Sequence, residues 1–206
     1  MRKIYKIRVS RLMKDSLLLF YLTALLGVTG LYAQPLSGTK TINSSGSGSN
    51  NYTSFNAAIT DLQNKGVNGP VVFEVAAGTY TGQLAISSIS GASATNTITF
   101  DGGDGNATTR IIRYQATSAT NAHVFRFNGC SYVNLRNLTI QNTGTSAGLG
   151  ISIYGSTNHC SIIKCRVLVD STSTSTSFKA IQMTNSTDVT NGTRCGGTSA
   201  SVNNIV

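Results

Sequence analysis

Residues 131–142 read SYVNLRNLTIQN, and residues 158–169, which lie 27 positions later, read NHCSIIKCRVLV. Apolar residues in the two stretches coincide: Val133, Leu135, Leu138 and Ile140 fall on Cys160, Ile162, Cys165 and Val167. A repeat that preserves its inward positions predicts stacked strand-turn-strand coils, because each coil hides its apolar face only against its neighbours.

The repeat extends to the flanking sequence. Phe125 and Phe127 fall on Ile151 and Ile153 with a shift of 26, and these fall on Ile181 and Met183 with a shift of 30. The polar tract 171–177 accounts for the extra length and is predicted to be a loop inserted in one coil. Further strands are predicted from short β-branched and aromatic runs: 71–75, 83–89, 97–100, 110–114 and 124–127. Their spacing alone would suit a β-sandwich equally well.

One segment has a helical rather than a strand period. Tyr52, Phe55, Ile59 and Leu62 recur at helical spacing, Thr53 or Ser54 can cap the start, and Lys65-Gly66 supplies a stop. This pattern predicts an amphipathic helix over 54–65. We expect it to cover the N-terminal end of the stack, where apolar side chains and unpaired backbone groups would otherwise be exposed.

Three stretches carry a family resemblance: YTSFNAAI at 52–59, GVNGPVVFEV at 66–75 followed by GTY at 78–80, and NLRNLTIQN at 134–142. They resemble right-handed parallel β-helix proteins of the pectate-lyase-like superfamily, and especially large surface proteins exported by Bacteroidota. The resemblance implies an all-β, right-handed parallel β-helix (solenoid) with an N-terminal amphipathic capping helix. Such surface proteins often end in a sorting domain for type IX secretion, and the C-terminal residues 201–206 show no such domain; they are expected to begin another strand of an N-terminal fragment.

The N-terminus is typical of an export signal. Six basic residues lie within the first fourteen, and a largely apolar run follows from Ser16 to Leu31. Residues 1–33 are therefore predicted to be a cleaved secretory signal peptide, with an uncleaved membrane anchor as the alternative. The protein is expected to be secreted or on the outer cell surface, with no membrane contact beyond this signal.

Charge and composition restrict the interpretation of the residues after the predicted signal. Beyond residue 33, ten basic residues face six acidic ones, a net charge of +4, so most of the chain's +9 belongs to the signal. The high isoelectric point therefore gives no support for nucleic-acid binding. Residues 34–50, rich in Gly and Ser, are predicted to be a flexible linker, and residues 51–206 a single β-helix domain.

Carboxylates are scarce for a polysaccharide-cleaving enzyme, whose chemistry uses paired acids. Asp61 falls on the predicted helix, and Glu74 on an outward strand position. Asp101 and Asp104 lie in the Gly-rich segment DGGDGN, 101–106, and their oxygens are candidate calcium ligands. The favoured interpretation is a tight turn between strands, because Asp, Asn and Gly prefer turns. No other cofactor is expected.

No catalytic residue is predicted. His123 and His159 are isolated, without the spacing of a zinc site, and no Gly-x-Ser-x-Gly elbow supports a serine nucleophile. Tyr114, Tyr132 and Tyr154 are candidate sugar-stacking residues if they point outward on neighbouring coils, although packing is the favoured role.

The four cysteines Cys130, Cys160, Cys165 and Cys195 allow three disulfide pairings in an oxidising compartment. Cys160 and Cys165, which align with Val133 and Leu138, equally suit small buried core positions. Both interpretations stay open at this stage.

The favoured hypothesis is a non-enzymatic structural, adhesive or glycan-binding β-helix whose partner is an extracellular glycan or surface protein. The alternative, implied by the resemblance alone, is the N-terminal part of a polysaccharide lyase or glycoside hydrolase. Its catalytic residues would lie mostly beyond the chain end. A third hypothesis is a β-sandwich binding module, which parallel pairing of neighbouring strands would exclude.

Overall fold

The computed structural model describes residues 34–169, 176–183 and 194–195, the last pair by backbone alone. The predicted signal at 1–33, most of the polar tract 171–177, and the C-terminal residues 201–206 lie outside these ranges. In the described part of the chain, no helix has the length and apolar character needed to cross a bilayer.

The described residues form strands and one α-helix, α1, at Phe55–Lys65. The strands are β1 Leu36–Ile42, β2 Asn51–Tyr52, β3 Val67–Val75, β4 Gly78–Thr81, β5 Leu84–Ile86, β6 Ile98–Asp101, β7 Arg110–Tyr114, β8 His123–Asn128, β9 Val133–Arg136, β10 Thr139–Asn142, β11 Gly148–Tyr154, β12 Ser161–Ile163, β13 Arg166–Leu168, β14 Phe178–Met183 and β15 Arg194–Cys195.

The strands build three parallel sheets. Their orders are β15-β12-β9-β6-β3-β1-β2, β13-β10-β7-β4 and β14-β11-β8-β5, so from β3 onward each sheet takes every third strand. Neighbouring strands in all three sheets run parallel. The prediction of a β-rich fold is confirmed, and the β-sandwich hypothesis is wrong because such sandwiches pair their strands antiparallel.

The sequence repeat is confirmed in the strand registers. Leu135 pairs with Ile162 and Ile140 with Val167, both at the predicted shift of 27. Phe125 pairs with Ile151, which in turn pairs with Ile181, at the predicted shifts of 26 and 30. Buried and more exposed residues alternate, as the two-residue period of a strand requires, in β4, β5, β6, β9, β12 and β13.

A continuous apolar core lies along the inward positions of the three sheets. Phe100 is at its centre: its ring stacks on Phe73 with centroids 4.9 Å apart and also contacts Phe55 and Phe125. The large apolar side chains of successive strands therefore pack on each other along the stack.

Helix α1 confirms the predicted helix. The Ser54 hydroxyl accepts a hydrogen bond from the backbone N–H of Ala57 at the start, a typical N-cap. Gly66 follows the last residue with a φ of +69° and donates its N–H to the Leu62 carbonyl. The apolar face of α1 packs beside β1, β2 and β5, and Phe55 contacts Tyr80 of β4 edge-on. The helix thus contacts strands at one edge of each of the three sheets.

The predicted flexible linker over residues 34–50 is corrected by the structure. Residues 36–42 form β1, which pairs in register with β3 from Gly38 to Ile42. Only the two ends of this strand, Leu36 and Ile42, are buried, so its composition looks like that of a linker although its backbone belongs to the sheet.

Strand β4 is also not among the predicted strands. Its one buried residue is Tyr80.

Left-handed residues mark the corners between sheets. Tyr132 and His159 have φ values of +59° and +52°, and Asn137 and Lys164 have values of +55° and +52°. The two members of each pair are related by the same sequence shift as the paired strands β9 and β12. The chain therefore bends in the same way at equivalent corners of consecutive repeats, which keeps the strands that follow in register.

Candidate functional site

A polar cleft of about 570 Å³ lies on the outer side of the seven-stranded sheet. Its floor includes Thr41 of β1, Glu74 of β3 and Asp101 of β6, which are direct neighbours across the three strands. One wall is formed by residues of the turn 43–50 and by Asn51 of β2, and the other by residues of the loop 102–109 that connects β6 to β7 and by Arg110 of β7. We call this the Glu74 cleft.

Two carboxylates share the floor of the Glu74 cleft. Because Glu74 and Asp101 are paired on adjacent parallel strands, their side chains leave the sheet on the same face. One oxygen of Asp101, Oδ1, accepts hydrogen bonds from the Gly103 N–H at 2.8 Å and from the Asn137 amide at 2.7 Å. The Glu74 side chain is exposed and has no hydrogen bond or ion pair within the described part of the chain. Asp101 is thus fixed, whereas Glu74 is available to a ligand.

The walls supply donors and acceptors that are held in place by hydrogen bonds. Asn51 accepts a hydrogen bond from the Thr41 hydroxyl at 2.7 Å and donates to the Asn43 carbonyl at 3.0 Å. Arg110 donates from Nε to the Val75 carbonyl at 3.3 Å and from Nη1 to the Thr109 hydroxyl. These bonds place amide groups and one guanidinium around the two carboxylates. Such a set can bind a polar, hydroxyl-rich ligand in one orientation.

The candidate calcium ligands are engaged elsewhere. Asp104 is exposed and forms an ion pair with Lys164, with Nζ and Oδ1 2.9 Å apart. The hydrogen bond and the charge of Lys164 lower the pKa of the Asp104 carboxyl. The segment 101–106 is a turn leading into a 3-10 helix at Ala107–Thr109, which confirms the turn interpretation. Among the described residues, no three His, Cys, Asp or Glu side chains cluster as metal ligands.

The three candidate tyrosines do not share one surface. Tyr114 ends β7 in one four-stranded sheet and is half-buried against the core. Tyr132 lies in the turn before β9 and stacks on His159 with ring centroids 5.0 Å apart. Tyr154, 46% exposed, ends β11 in the other four-stranded sheet, where the Arg126 guanidinium lies 5.8 Å from its ring centre. The three therefore do not form a single stacking surface, because Tyr114 and Tyr154 end strands of different sheets and Tyr132 lies in a turn.

The described cysteines occupy the core. Cys130, Cys160 and Cys165 are buried, a position that suits both a small core residue and a buried disulfide. The backbone of Cys195 pairs beside Ile162, and its side chain lies outside the described residues.

Glu74 lies at the outward strand position that the sequence predicts. Its position next to Asp101 on the neighbouring strand is not among the sequence-based predictions. The signal was present: VVFE at 71–74 and ITFD at 98–101 are related by the same shift as the later repeats. Extending the repeat toward the N-terminus would have placed Glu74 beside Asp101.

His123, at the start of β8, is a buried titratable group. It is 3% exposed, and its Nδ1 has no hydrogen-bond partner within the described residues. Burial and, to a smaller extent, the charge of Arg126 lower its pKa to about 4. The folded protein therefore holds this imidazole neutral at pH 7.

We predict that the free energy of unfolding decreases by about 2–3 kcal/mol between pH 7 and pH 4 because of His123. The unfolded imidazole takes up its proton near pH 6.5 but the folded one only near pH 4, so this contribution is lost as the pH falls through that window. Urea unfolding at several pH values measures it. His123→Gln should flatten the profile. An equally steep profile in His123→Gln would contradict the prediction.

Comparison of the chain with protein-family models, curated proteins and solved structures gave no match. The functional proposal therefore depends on the fold and on the Glu74 cleft.

Proposed function

We propose that this chain is a secreted or cell-surface, right-handed parallel β-helix that binds an extracellular glycan in the Glu74 cleft. The β-helix interpretation is supported by three parallel sheets that receive consecutive strands in turn. Connections between parallel strands are right-handed in about 98% of cases, which favours that hand. The N-terminal sequence, typical of an export signal, supports the location.

The Glu74 cleft is the observation that carries the glycan proposal. Its carboxylates, amides, hydroxyls and guanidinium match the alternating donors and acceptors of sugar hydroxyl groups. Several of these groups are already held by hydrogen bonds within the protein, so little side-chain entropy is lost on binding. The available Glu74 carboxylate would accept charge-assisted hydrogen bonds from hydroxyls, which are stronger than neutral ones.

The parallel stack itself suits a structural or adhesive role. Outward side chains on consecutive strands form polar ladders: Asn134 donates to the Thr99 hydroxyl at 3.4 Å and accepts from the Ser161 hydroxyl at 2.6 Å. On another sheet, Arg113 donates to Gln141 at 3.0 Å. These ladders join consecutive repeats on the outside while the apolar core joins them within, and the resulting rigid support would hold the cleft open.

The second candidate function is that of the N-terminal part of a polysaccharide lyase or glycoside hydrolase. The pairing of Glu74 with Asp101 favours it, because adjacent strands lie about 4.8 Å apart and retaining glycosidases place two carboxyl groups about 5–5.5 Å apart. The two hydrogen bonds on Asp101 Oδ1 argue for a positioning role instead. We therefore favour binding without cleavage.

A glycan array probed with the purified chain tests the proposal, followed by affinity measurements on any positive oligosaccharide. Glu74→Gln retains the shape but removes the charge, and we expect it to weaken binding roughly tenfold. Asp104→Asn is the matched control, because it neutralises an acid just outside the cleft lining and should leave affinity unchanged.

Absence of glycan binding, or equal affinity in Glu74→Gln and wild type, would overturn the proposal. Incubation of the same oligosaccharides with the chain, followed by reducing-end and unsaturated-product assays, separates the two functions. Product that disappears in Glu74→Gln would favour the enzyme.

A further inference from the structure

Two buried thiols face each other between consecutive repeats. Cys130 lies in the turn between β8 and β9, and Cys160 lies in the turn between β11 and β12. Their sulfur atoms are 3.9 Å apart, and the side chains are 0% and 1% exposed. Cys165 lies at the other end of β12 from Cys160, in a different corner of the chain. Among the three cysteines with described side chains, these two are therefore the pair the fold brings together.

We propose that Cys130 and Cys160 form an intrachain disulfide that joins two consecutive repeats when the chain folds in an oxidising compartment. The choice of compartment rests on the proposed extracellular location, whereas the choice of partners rests on the geometry of the two turns.

The backbone around the pair is already fixed. Asn158 donates its N–H to the Cys130 carbonyl at 3.0 Å, and its own carbonyl accepts from the Tyr132 N–H at 3.2 Å. Ser131 and Asn158 form a parallel bridge. A disulfide requires the sulfurs to come roughly 2 Å closer than 3.9 Å, to a bond of about 2.05 Å. Rotation of the two cysteine side chains can supply much of this movement while the turns stay paired.

Formation of the bond costs few existing interactions. The Cys160 thiol is directed at the carbonyls of Cys130 and Asn158, with sulfur–oxygen distances of 3.7 and 3.4 Å. Thiols are weak donors, so these contacts contribute little. The sulfurs also stay in the apolar core, where a disulfide carries no polar hydrogen that needs a partner.

The chemical step is a thiol–disulfide exchange with a small-molecule or protein disulfide as the oxidant. One cysteine thiolate attacks the oxidant to form a mixed disulfide and release one thiol, and the second cysteine then displaces the other. Two S–H bonds are lost, one Sγ–Sγ bond forms, and the two electrons reduce the oxidant to two thiols that retain both protons overall.

Burial of the two thiols determines when the disulfide can form. In the folded chain, the hydrogen bond to Cys160 and burial raise the pKa of the Cys130 thiol, which disfavours the thiolate form of Cys130, the form that reacts. An external oxidant also cannot reach a side chain with no exposed surface. The bond should therefore form as the repeats stack during folding, and the finished structure should protect it.

The experiment is oxidative refolding of the full chain. The reduced protein is unfolded in urea, diluted into buffer containing reduced and oxidised glutathione, and alkylated after denaturation. Intact mass then gives the number of remaining thiols, and a non-reducing peptide digest identifies the linked cysteines. We expect Cys130 linked to Cys160, and a melting temperature roughly 5–15 °C above that of the reduced protein, because the bond closes a loop between residues 30 positions apart.

Cys160→Ser should lose the linkage and the redox-dependent melting shift, whereas Cys165→Ser should retain both. If Cys160→Ser fails to fold, the digest of the wild-type protein still shows whether Cys130 is linked to Cys160. Recovery of Cys130 and Cys160 as alkylated thiols, or a linkage of either to Cys165 or Cys195 instead, would overturn the proposal. No glycan is present in this experiment, so its outcome is distinct from that of the binding assay.

Discussion

Replacing Phe100 with alanine is expected to lower the free energy of unfolding by about 3–5 kcal/mol. The ring is fully buried and contacts three others: Phe73 and Phe125 in the sheets, and Phe55 in helix α1. Truncation would leave a cavity at the point where the helix and successive repeats meet. The neighbours are held by strand pairing, so they can collapse into it only in part.

Urea unfolding monitored by circular dichroism measures the loss. The matched control is Phe178→Ala, which removes the same ring from a half-buried position in β14 and should cost less than half as much. Equal destabilisation of the two variants would contradict the deep burial of Phe100, since its ring would then contribute no more than one near the surface.

The later part of the fold could be predicted because there the repeat is regular. Strands β9 and β12, and likewise β10 and β13, pair at one and the same sequence shift, so the alignment of apolar residues reveals the stacking directly. Between β6 and β9 the shift is larger, with Ile98 paired to Val133, because the loop 102–109 is inserted at the corner. Between β5 and β8 it is larger still, with Leu84 paired to Phe125. Insertions of this size hide a repeat from any fixed-period comparison of a single sequence.

The polar composition of residues 34–50 led to the wrong prediction of a flexible linker at the N-terminal end. Strand β1 has polar or glycine residues at all five of its interior positions, and its pairing with β3 is made by backbone groups, which leave no trace in composition. A strand at the end of a stack needs few apolar side chains because the helix covers one side of it. Low hydrophobicity here reflects position in the sheet and not disorder.

The Glu74 cleft required the structure for a different reason. Its two carboxylates lie on separate strands, a full repeat apart in the chain, and their proximity follows from register alone. The walls depend on how the turn 43–50 and the loop 102–109 fold over the sheet. Loop conformation is set by local hydrogen bonds such as the one from Gly103 to Asp101, which a periodicity argument does not describe.

Asn142 is the most completely bonded polar side chain in the core. It is 4% exposed and lies at the end of β10. Its amide nitrogen donates to the carbonyls of Ala122 at 2.5 Å and Leu149 at 3.2 Å. Its oxygen accepts from the N–H groups of Gly144 at 2.9 Å and Ala116 at 3.4 Å. One side chain therefore satisfies backbone groups of three separate segments at this corner.

Asn142→Asp is expected to destabilise the protein by about 3–5 kcal/mol at pH 7. The change replaces a donor with an oxygen that would face two carbonyl oxygens, and it introduces a buried charge without a partner. Thermal and urea unfolding give the loss. The control is Asn128→Asp, the same substitution at an exposed residue of β8, which should cost less than about 1 kcal/mol.

The pH dependence of Asn142→Asp distinguishes a buried charge from a merely lost hydrogen bond. Burial would raise the pKa of the new carboxyl above its unfolded value of about 3.9, so the folded variant retains a proton that the unfolded chain releases. Relative to wild type, the variant should therefore be least destabilised below about pH 4 and lose stability as the pH rises toward the folded pKa. Asn142→Ala, which breaks the same hydrogen bonds without adding a charge, should be destabilised by a similar amount at all pH values. A destabilisation of Asn142→Asp that did not change with pH would show that the carboxylate reaches solvent, and that this corner is more open than the bonds of Asn142 indicate.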